Sequence, residues 1–229
     1  PAAAWIVRPV TGRRVRLVVF DLDGTITRHD TLVPYVIGFL ARRPWRLLRL
    51  VRVIPALILF ALRRADHGKV KEAFIRATLR GHTRAELEAW TERFVPALLD
   101  RGVFADALET IAAHRRDGDV LVLMSASPDL YVPEIARRLG FAETICTGVQ
   151  WDGEHLVGKL TTENRRGAEK ARCFEALRQR YPGLATVAYA NGPSDLDHLV
   201  LADQAVLVNG LAPTRLLAER AGIRCATWR

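Results

Sequence analysis

The most constraining feature of this 229-residue chain is an apolar run that stops abruptly at two carboxylates. Val15–Phe20 is rich in β-branched residues and has no turn residue, which predicts a buried parallel strand. Asp21, Asp23 and Gly24 follow directly, and chemistry in open α/β sheets lies at the carboxyl ends of strands. Two nearby anions repel, so a divalent cation or a proton must relieve the repulsion. The alternative is an ordinary Asp-Gly turn with solvated acids.

The rest of the chain divides into a helical part and an alternating part. From about Leu32 to Leu99 the periodicity is helical, and Thr83 and Glu86 have the spacing of a capping box. Beyond this insertion, strand and helix patterns alternate, which predicts an α/β doubly wound parallel sheet with helices on both faces. The predicted strands are 120–124, 144–147, 185–190 and 205–208, with a hairpin at 148–161 and helices at 105–115, 133–139, 168–180, 196–201 and the C-terminus.

Polar residues recur at the ends of the later predicted strands. Ser125 and the turn amide of Ala126 follow strand 120–124 and can hold a phosphate oxygen without adding charge. Lys170 lies in the first turn of a predicted helix, against the preference of the helix dipole, which favours a functional role. Asn191 and Asp195 follow strand 185–190. A local turn at Ser125 and a solvated Lys170 are the alternatives when each signal is taken alone.

Taken together, these stretches resemble a known family. The order and spacing of Asp21-Leu-Asp23-Gly-Thr25, Ser125, Lys170 and Asn191 to Asp195 are similar to the four motifs of the haloacid dehalogenase superfamily of phosphatases, and specifically to the subfamily (IB) that includes phosphoserine phosphatase. The resemblance implies a Rossmann-like core formed by residues 1–28 and 105–229. It implies an inserted all-helical cap formed by residues 29–104.

The resemblance also implies a reaction, which is hydrolysis of a phosphate monoester. Asp21 would be the nucleophile that forms an aspartyl-phosphate, and Asp23 would act in turn as general acid and general base. Ser125, Ala126 and Lys170 would bind the phosphoryl oxygens.

The implied cofactor is Mg²⁺, which prefers hard oxygen ligands. Its ligands would be the carboxylate of Asp21, the backbone carbonyl of Asp23 and the side chain of Asn191. The family usually has Asp where this chain has Asn191, and an amide oxygen coordinates a cation without contributing charge, so metal affinity should fall while the site survives. The residues expected to support the site are Thr25, Gly192 and Asp195.

One position near the first motif bears on the substrate. Asp30 lies nine residues after Asp21, where phosphoserine phosphatase has an acid that meets the substrate's ammonium group. The alternative is that Asp30 caps the first helix of the insertion.

Charge is concentrated in the predicted cap. The chain carries a formal net charge of +9, and residues 31–65 contain seven arginines and no acid. Arg42, Arg46 and Arg49 have the spacing of one helical face, and the uncharged stretch Val53–Leu62 is too short to span a bilayer. This pattern favours contact of residues 42–64 with an anionic membrane surface, whereas packing within the cap is the alternative. No nucleic-acid-reading module is found.

The leading hypothesis is therefore a phosphatase of a lipid or amphiphilic phosphate, similar to phosphatidylglycerophosphate phosphatases of the superfamily. The first alternative is a soluble phosphatase of a small metabolite such as phosphoserine, and the second is a binding module that lost turnover through Asn191. Three widely spaced cysteines and the absence of a long apolar leader after Pro1 favour a cytoplasmic location over secretion. Contact of residues 42–64 with an anionic surface would place the protein peripherally at the inner face of the membrane.

Overall fold

The computed structural model describes residues 14–41, 44–63 and 66–229. The strands are β1 (Arg16–Phe20), β2 (Val120–Pro128), β3 (Glu143–Thr147), β4 (Val149–Asp152), β5 (His155–Leu160), β6 (Ala185–Ala190), β7 (Gln204–Val208) and β8 (Arg224–Ala226). The helices are α1 (Leu32–Ala41), α2 (Ile54–Ala61), α3 (His67–Leu79), α4 (Arg84–Arg101), α5 (Ala105–Arg116), α6 (Val132–Leu139), α7 (Ala168–Arg180), α8 (Leu196–Leu199) and α9 (Ala212–Arg220), with 3₁₀ segments at Pro44–Val53 and Pro193–Asp195.

Six strands form a parallel sheet in the order β3-β2-β1-β6-β7-β8, and β4 and β5 form a separate hairpin. Leu17 and Val19 of β1 pack in the apolar layer that includes α7, α8 and α9. Val18 and Phe20 pack in the opposite layer with α5 and α6. Because side chains alternate across a strand, one apolar run supplies both layers. The predicted doubly wound α/β fold is confirmed.

The helices between β1 and α5 extend one of these layers. Tyr35 of α1, Ile75 of α3 and Val95 of α4 are fully buried in the same apolar cluster as the sheet face. The predicted capping box begins α4, with Thr83 Oγ1 accepting from Glu86 N at 3.2 Å and Glu86 Oε2 accepting from Thr83 N at 3.1 Å. The inserted all-helical part is confirmed, while its limits at residues 29 and 104 stay a prediction.

The hairpin of β4 and β5 fixes α3 against the core. Gly158 has φ +84°, and a β-carbon there would lie 2.6 Å from the Cα atom of Arg76 on α3. Only glycine allows this approach, because any side chain would collide with helix backbone. The contact seats α3 beside the carboxyl edge of the sheet.

Three details differ from the sequence-based expectation. Strand β2 continues to Pro128, which pairs with Thr147, so Ser125 lies inside the strand instead of following it. Strand β8 was not predicted, because three residues at a sheet edge carry no periodic signal. The part of the predicted basic helix that the structure describes, Pro44–Val53, is a 3₁₀ helix and not an α-helix. Arg42, one of the three arginines assigned to that face, lies outside the described residues. Arg43 and Arg64 of the same basic segment also lie outside them.

Candidate active site

The loop after β1 folds tightly around one carbonyl. Leu22 O accepts hydrogen bonds from the backbone N–H groups of Thr25, Ile26 and Thr27, and Thr27 Oγ1 also donates to it. Asp21 N still donates to Tyr189 O, so the ladder between β1 and β6 continues to Asp21. The first carboxylate is therefore held by the sheet.

Lys170 connects this carboxylate to the end of β6. Its Nζ lies 2.6 Å from Asp21 Oδ1 and 2.7 Å from Asp195 Oδ1, and all three side chains are buried. Thr25 Oγ1 donates to the other oxygen of Asp21 at 3.0 Å, and Gly192 N donates to Asp195 Oδ2 at 3.0 Å. Lys170, which the sequence predicted in the first turn of a helix, is therefore the cation shared by these two carboxylates.

Asp23 has a separate set of partners on the cap side of the site. Thr31 donates to its Oδ1 from both Oγ1 (2.7 Å) and N (2.8 Å). Ser127 Oγ donates to Oδ2 at 2.6 Å, while the predicted Ser125 Oγ is 3.5 Å away. Asp23 is therefore held by hydroxyl groups and one backbone N–H, and no salt bridge joins it to a cation of the described residues.

The pKa values of the buried ionisable groups in the site shift in different directions. Burial raises the pKa of Asp21 to about 7, with the charges of Asp195 and Asp23 adding to the rise and that of Lys170 opposing it. Burial also raises the pKa of Asp23, although its hydrogen bonds oppose the change. Burial acts to lower the pKa of Lys170, but the two adjacent carboxylates outweigh it and raise that pKa above its usual range. For Asp195 the effect of burial is outweighed by the lysine, and its pKa is lowered.

Asn191 packs against the loop after β1. Gly24 has φ +82°, and a β-carbon on it would overlap the amide of Asn191. Asn191 and Gly192 follow β6 directly and line the same cavity as Asp21 and Asp23. Glycine at position 24 therefore makes room for this amide as well as for the left-handed turn.

Asp30 has a structural role in the fold. Its Oδ1 accepts from Leu32 N at 3.0 Å and from Val33 N at 3.2 Å, which satisfies two free donors at the start of α1. Asp30 also lines the cavity. The capping interpretation is thus observed, and the proposed contact with a substrate ammonium stays a prediction.

The structure brings four further residues to the site that the sequence reasoning missed. Thr31 and Ser127 bond Asp23, and they lie within two residues of positions already singled out. Lys71 Nζ lies 2.5 Å from both Ala126 O and Asn164 Oδ1. No local pattern marks Lys71 or Asn164, because each reaches the site only through the packing of α3 and of the loop before α7.

These residues line a cavity of about 920 Å³ between the sheet edge and the helical part. Its polar floor includes Asp21, Asp23 and Lys170. Its apolar lining includes Leu50, Val53 and Leu57 from the 3₁₀ segment and α2, together with other apolar side chains. A ligand in this cavity meets both charged and apolar side chains.

The donors available for a metal ion are oxygens. Within the described residues, no group of three or more His, Cys, Asp or Glu side chains is arranged to hold a metal ion. The cavity is lined by the Asp21 carboxylate and by Asn191, whose side-chain amide packs against Gly24 and includes an oxygen donor. A set with few carboxylates and all-oxygen donors fits Mg²⁺, which usually keeps several waters and shares ligands with a substrate phosphate.

The fold and the site together define an α/β enzyme with a carboxylate-based hydrolytic site. The chain belongs to the haloacid dehalogenase-like hydrolase family, whose model matches residues 18–199. Among described residues, no helix is long and apolar enough to span a bilayer.

Known proteins agree with this assignment. The chain is 34% identical over 207 residues to protein CicA of Caulobacter vibrioides, covering 86% of this chain and 89% of CicA. It is 27% identical over 209 residues to phosphoserine phosphatase SerB1 of Mycobacterium tuberculosis, covering 89% of this chain and 68% of SerB1. A solved phospho-aspartyl intermediate analogue of phosphoserine phosphatase shares the fold, with a TM-score of 0.64, 18% identity and 93% coverage of each chain. The predicted superfamily and the prediction of a phosphatase are confirmed.

Proposed function

We propose that this protein is a magnesium-dependent phosphomonoester hydrolase that works through an aspartyl-phosphate on Asp21. The observation that carries the proposal is the buried Lys170 ammonium, shared by Asp21 and Asp195 on the floor of a cavity that also contains Asp23. Phosphoryl transfer depends mainly on positioning and on charge stabilisation, and this group supplies both. The intermediate analogue known for a phosphoserine phosphatase of the same fold supports the covalent step.

Two carboxylates with different surroundings take different roles, with Asp21 as the nucleophile and Asp23 as the general acid and then the general base. The Asp21 carboxylate attacks phosphorus, the bond from phosphorus to the leaving oxygen breaks, and that oxygen takes a proton from Asp23. In the second step the Asp23 carboxylate takes a proton from water, which attacks the aspartyl-phosphate and frees phosphate and Asp21. The raised pKa of Asp23 suits the acid of the first step. Ser125, the Ala126 backbone and Lys170 bind the phosphoryl oxygens.

The metal would be held by the Asp21 carboxylate, the Asp23 carbonyl and the Asn191 amide oxygen. Thr25, Gly192 and Asp195 support these ligands, because Thr25 bonds Asp21 and Gly192 bonds Asp195. Bound Mg²⁺ supplies positive charge that favours ionised Asp21 and screens the phosphate.

The substrate we propose is an amphiphilic phosphate, such as a phosphatidylglycerophosphate-like lipid. The apolar lining of the cavity shares Leu57 with a set of exposed apolar side chains on the 3₁₀ segment and α2, which we call the cap apolar face. Helix α2 has no buried residue. The members of the cap apolar face are Trp45, Leu48, Val51, Ile54, Leu57, Ile58 and Leu62.

The same surface fits a peripheral position on an anionic membrane. The segment 44–63 contains Arg46, Arg49, Arg52 and Arg63 and no acid. Basic residues beside an apolar face are the features that hold a helix in the interface of an anionic bilayer. The protein would then work at the cytoplasmic face, taking its substrate from the lipid layer.

A second candidate is a soluble phosphatase of a small metabolite such as phosphoserine. The name of SerB1 and the matching phosphoserine phosphatase fold favour it. Asp30 lines the cavity and would meet an ammonium group, although its Oδ1 already caps α1. A binding module without turnover is the third candidate, and it rests on Asn191.

Activity is tested by phosphate release from p-nitrophenyl phosphate, phosphoserine and phosphatidylglycerophosphate, with and without Mg²⁺. We expect magnesium-dependent release that Asp21→Asn abolishes and that Asp152→Asn, at an exposed hairpin position, leaves unchanged. Preference for the lipid supports the amphiphilic substrate, and preference for phosphoserine supports the second candidate. A folded protein that binds no Mg²⁺ and releases no phosphate contradicts the enzyme proposal.

Membrane contact is tested by sedimentation with anionic and neutral vesicles. We expect Leu48→Ser to weaken binding to anionic vesicles about tenfold, because a buried leucine side chain contributes about 1.5–3 kcal/mol. Leu211→Ser is the matched control, since Leu211 is 76% exposed and Leu48 is 74% exposed, but Leu211 adjoins α9 on the core. Equal binding of both variants, or no binding of the wild type, refutes the membrane proposal.

A further inference from the structure

Lys71 is a residue of the helical part whose side chain reaches the second core strand. It lies on α3, and its Nζ is within 2.5 Å of Ala126 O and of Asn164 Oδ1. Thr147 Oγ1 donates to the same carbonyl at 2.6 Å. Burial lowers the pKa of Lys71 to about 8, so the ammonium keeps most of its charge at pH 7. None of the four family motifs includes Lys71.

The carbonyl that Lys71 bonds belongs to the peptide between Ala126 and Ser127. The N–H of that peptide donates to Ser125 Oγ at 3.0 Å. An ammonium and a hydroxyl donating to the carbonyl oxygen polarise the peptide, so its N–H becomes a stronger donor. With its oxygen accepting this bond, Ser125 directs its hydroxyl proton away from the peptide, and it donates a long hydrogen bond to Asp23. Asp23 Oδ2, at 3.5 Å, lies on the side of the reacting groups.

We propose that Lys71 is a positioning residue for phosphoryl transfer, which fixes the Ala126–Ser127 peptide from the helical part and thereby directs the Ser125 hydroxyl at the phosphoryl group. The inference rests on the proposed function, because it concerns the phosphoryl group of that reaction. It has a structural consequence: phosphoryl binding is complete only when α3 is seated on the core.

Lys71 also lines the cavity, so direct contact with the leaving group is the competing role. The two roles differ in what they recognise. A residue that acts through Ser125 affects every phosphoryl group equally, including a mimic with no leaving group. A residue that contacts the leaving group affects substrates unequally and leaves such a mimic unaffected.

Orthovanadate is the probe, and its affinity is measured by inhibition and by calorimetry in the presence of Mg²⁺. For Lys71→Met we expect about tenfold weaker vanadate binding, the low end for a charged hydrogen bond acting through a second residue. We expect kcat/KM to fall by the same factor for p-nitrophenyl phosphate and for an alkyl phosphate. Lys71→Arg should recover part of both losses. Lys69→Met, an exposed charge removal on the same helix, should change neither.

Thr147→Val is a second variant that removes the other donor to Ala126 O without altering charge. We expect about fivefold weaker vanadate binding from the loss of one neutral hydrogen bond. Unchanged vanadate affinity in folded Lys71→Met, or a loss confined to one substrate, overturns the positioning role. If Lys71→Met does not fold, unchanged vanadate affinity in Thr147→Val overturns the positioning role. A wild type that neither binds vanadate nor releases phosphate overturns the proposed function and this inference with it.

Discussion

Replacing Lys170 with methionine would remove the ammonium that joins two buried carboxylates. Its Nζ lies 2.6 Å from Asp21 and 2.7 Å from Asp195, and each of the three side chains is at most 8% exposed. Methionine keeps most of the length of the side chain without the charge. The packing of α7 is therefore retained, while Asp21 and Asp195 lose their shared cation.

The size of the effect follows from these distances. The Lys170 ammonium and the Asp195 carboxylate, 2.7 Å apart, attract by about 6 kcal/mol at an effective dielectric constant of about 20. The burial of the ammonium offsets much of this attraction. Removal of one partner from a buried ion pair typically costs about 3–5 kcal/mol, and we expect a loss of unfolding free energy in this range.

The loss should depend on pH in a defined direction. The folded pKa of Asp21 is about 7 against an ordinary 3.8, so ionisation of Asp21 reduces stability as the pH rises through this window. Without Lys170, the charge that opposed the rise is gone and the folded pKa moves above 7. The variant then continues to lose stability above pH 7, where the wild-type contribution of Asp21 is constant. The difference between the two proteins should widen from about 3 kcal/mol at pH 6 towards 5 kcal/mol at pH 9.

Urea unfolding followed by circular dichroism, with EDTA present to keep the site free of metal, measures this difference at both pH values. Lys159→Met is the control, because Lys159 is exposed on β5 and should lose less than 0.5 kcal/mol, as surface substitutions usually do. A Lys170→Met loss below about 1 kcal/mol, or one of equal size at pH 6 and pH 9, would refute the reasoning.

Three further predictions concern single positions. Gly24→Ala should lower the free energy of unfolding by about 2–4 kcal/mol and remove most of the activity, because φ is +82° and the new methyl group overlaps Asn191. The control is Gly153→Ala, where φ is +53° and the surrounding space is open, and it should lower the free energy of unfolding by only about 1–2 kcal/mol, as measured by thermal unfolding. Asn191→Asp should lower the Mg²⁺ concentration for half-maximal phosphate release several-fold because it adds a charged ligand; an unchanged requirement would contradict ligation by this residue. Thr83→Ala should cost about 1 kcal/mol in urea unfolding, with kcat unchanged, through loss of the capping box of α4.

Local patterns in the sequence were sufficient to predict the fold and most residues of the candidate site. The apolar run before Asp21 and the alternation after residue 105 predicted the parallel sheet, because burial on both faces requires apolar residues at every strand position. Lys170 was found from its unusual place in the first turn of a helix. The structure places it against Asp21 and Asp195, which are 149 and 25 residues away.

Tertiary structure alone decided how the helical part meets the core. Lys71 is 55 residues from Ala126 and 93 from Asn164, and nothing in the neighbourhood of Lys71 in the chain marks it as a site residue. Its position follows from the seating of α3 on β5 at Gly158, which is a matter of packing between segments distant in sequence. Periodicity and motif spacing report which face of an element is buried. They carry no information about which distant polar group the buried face will meet, because that choice is made by the shape of the assembled core.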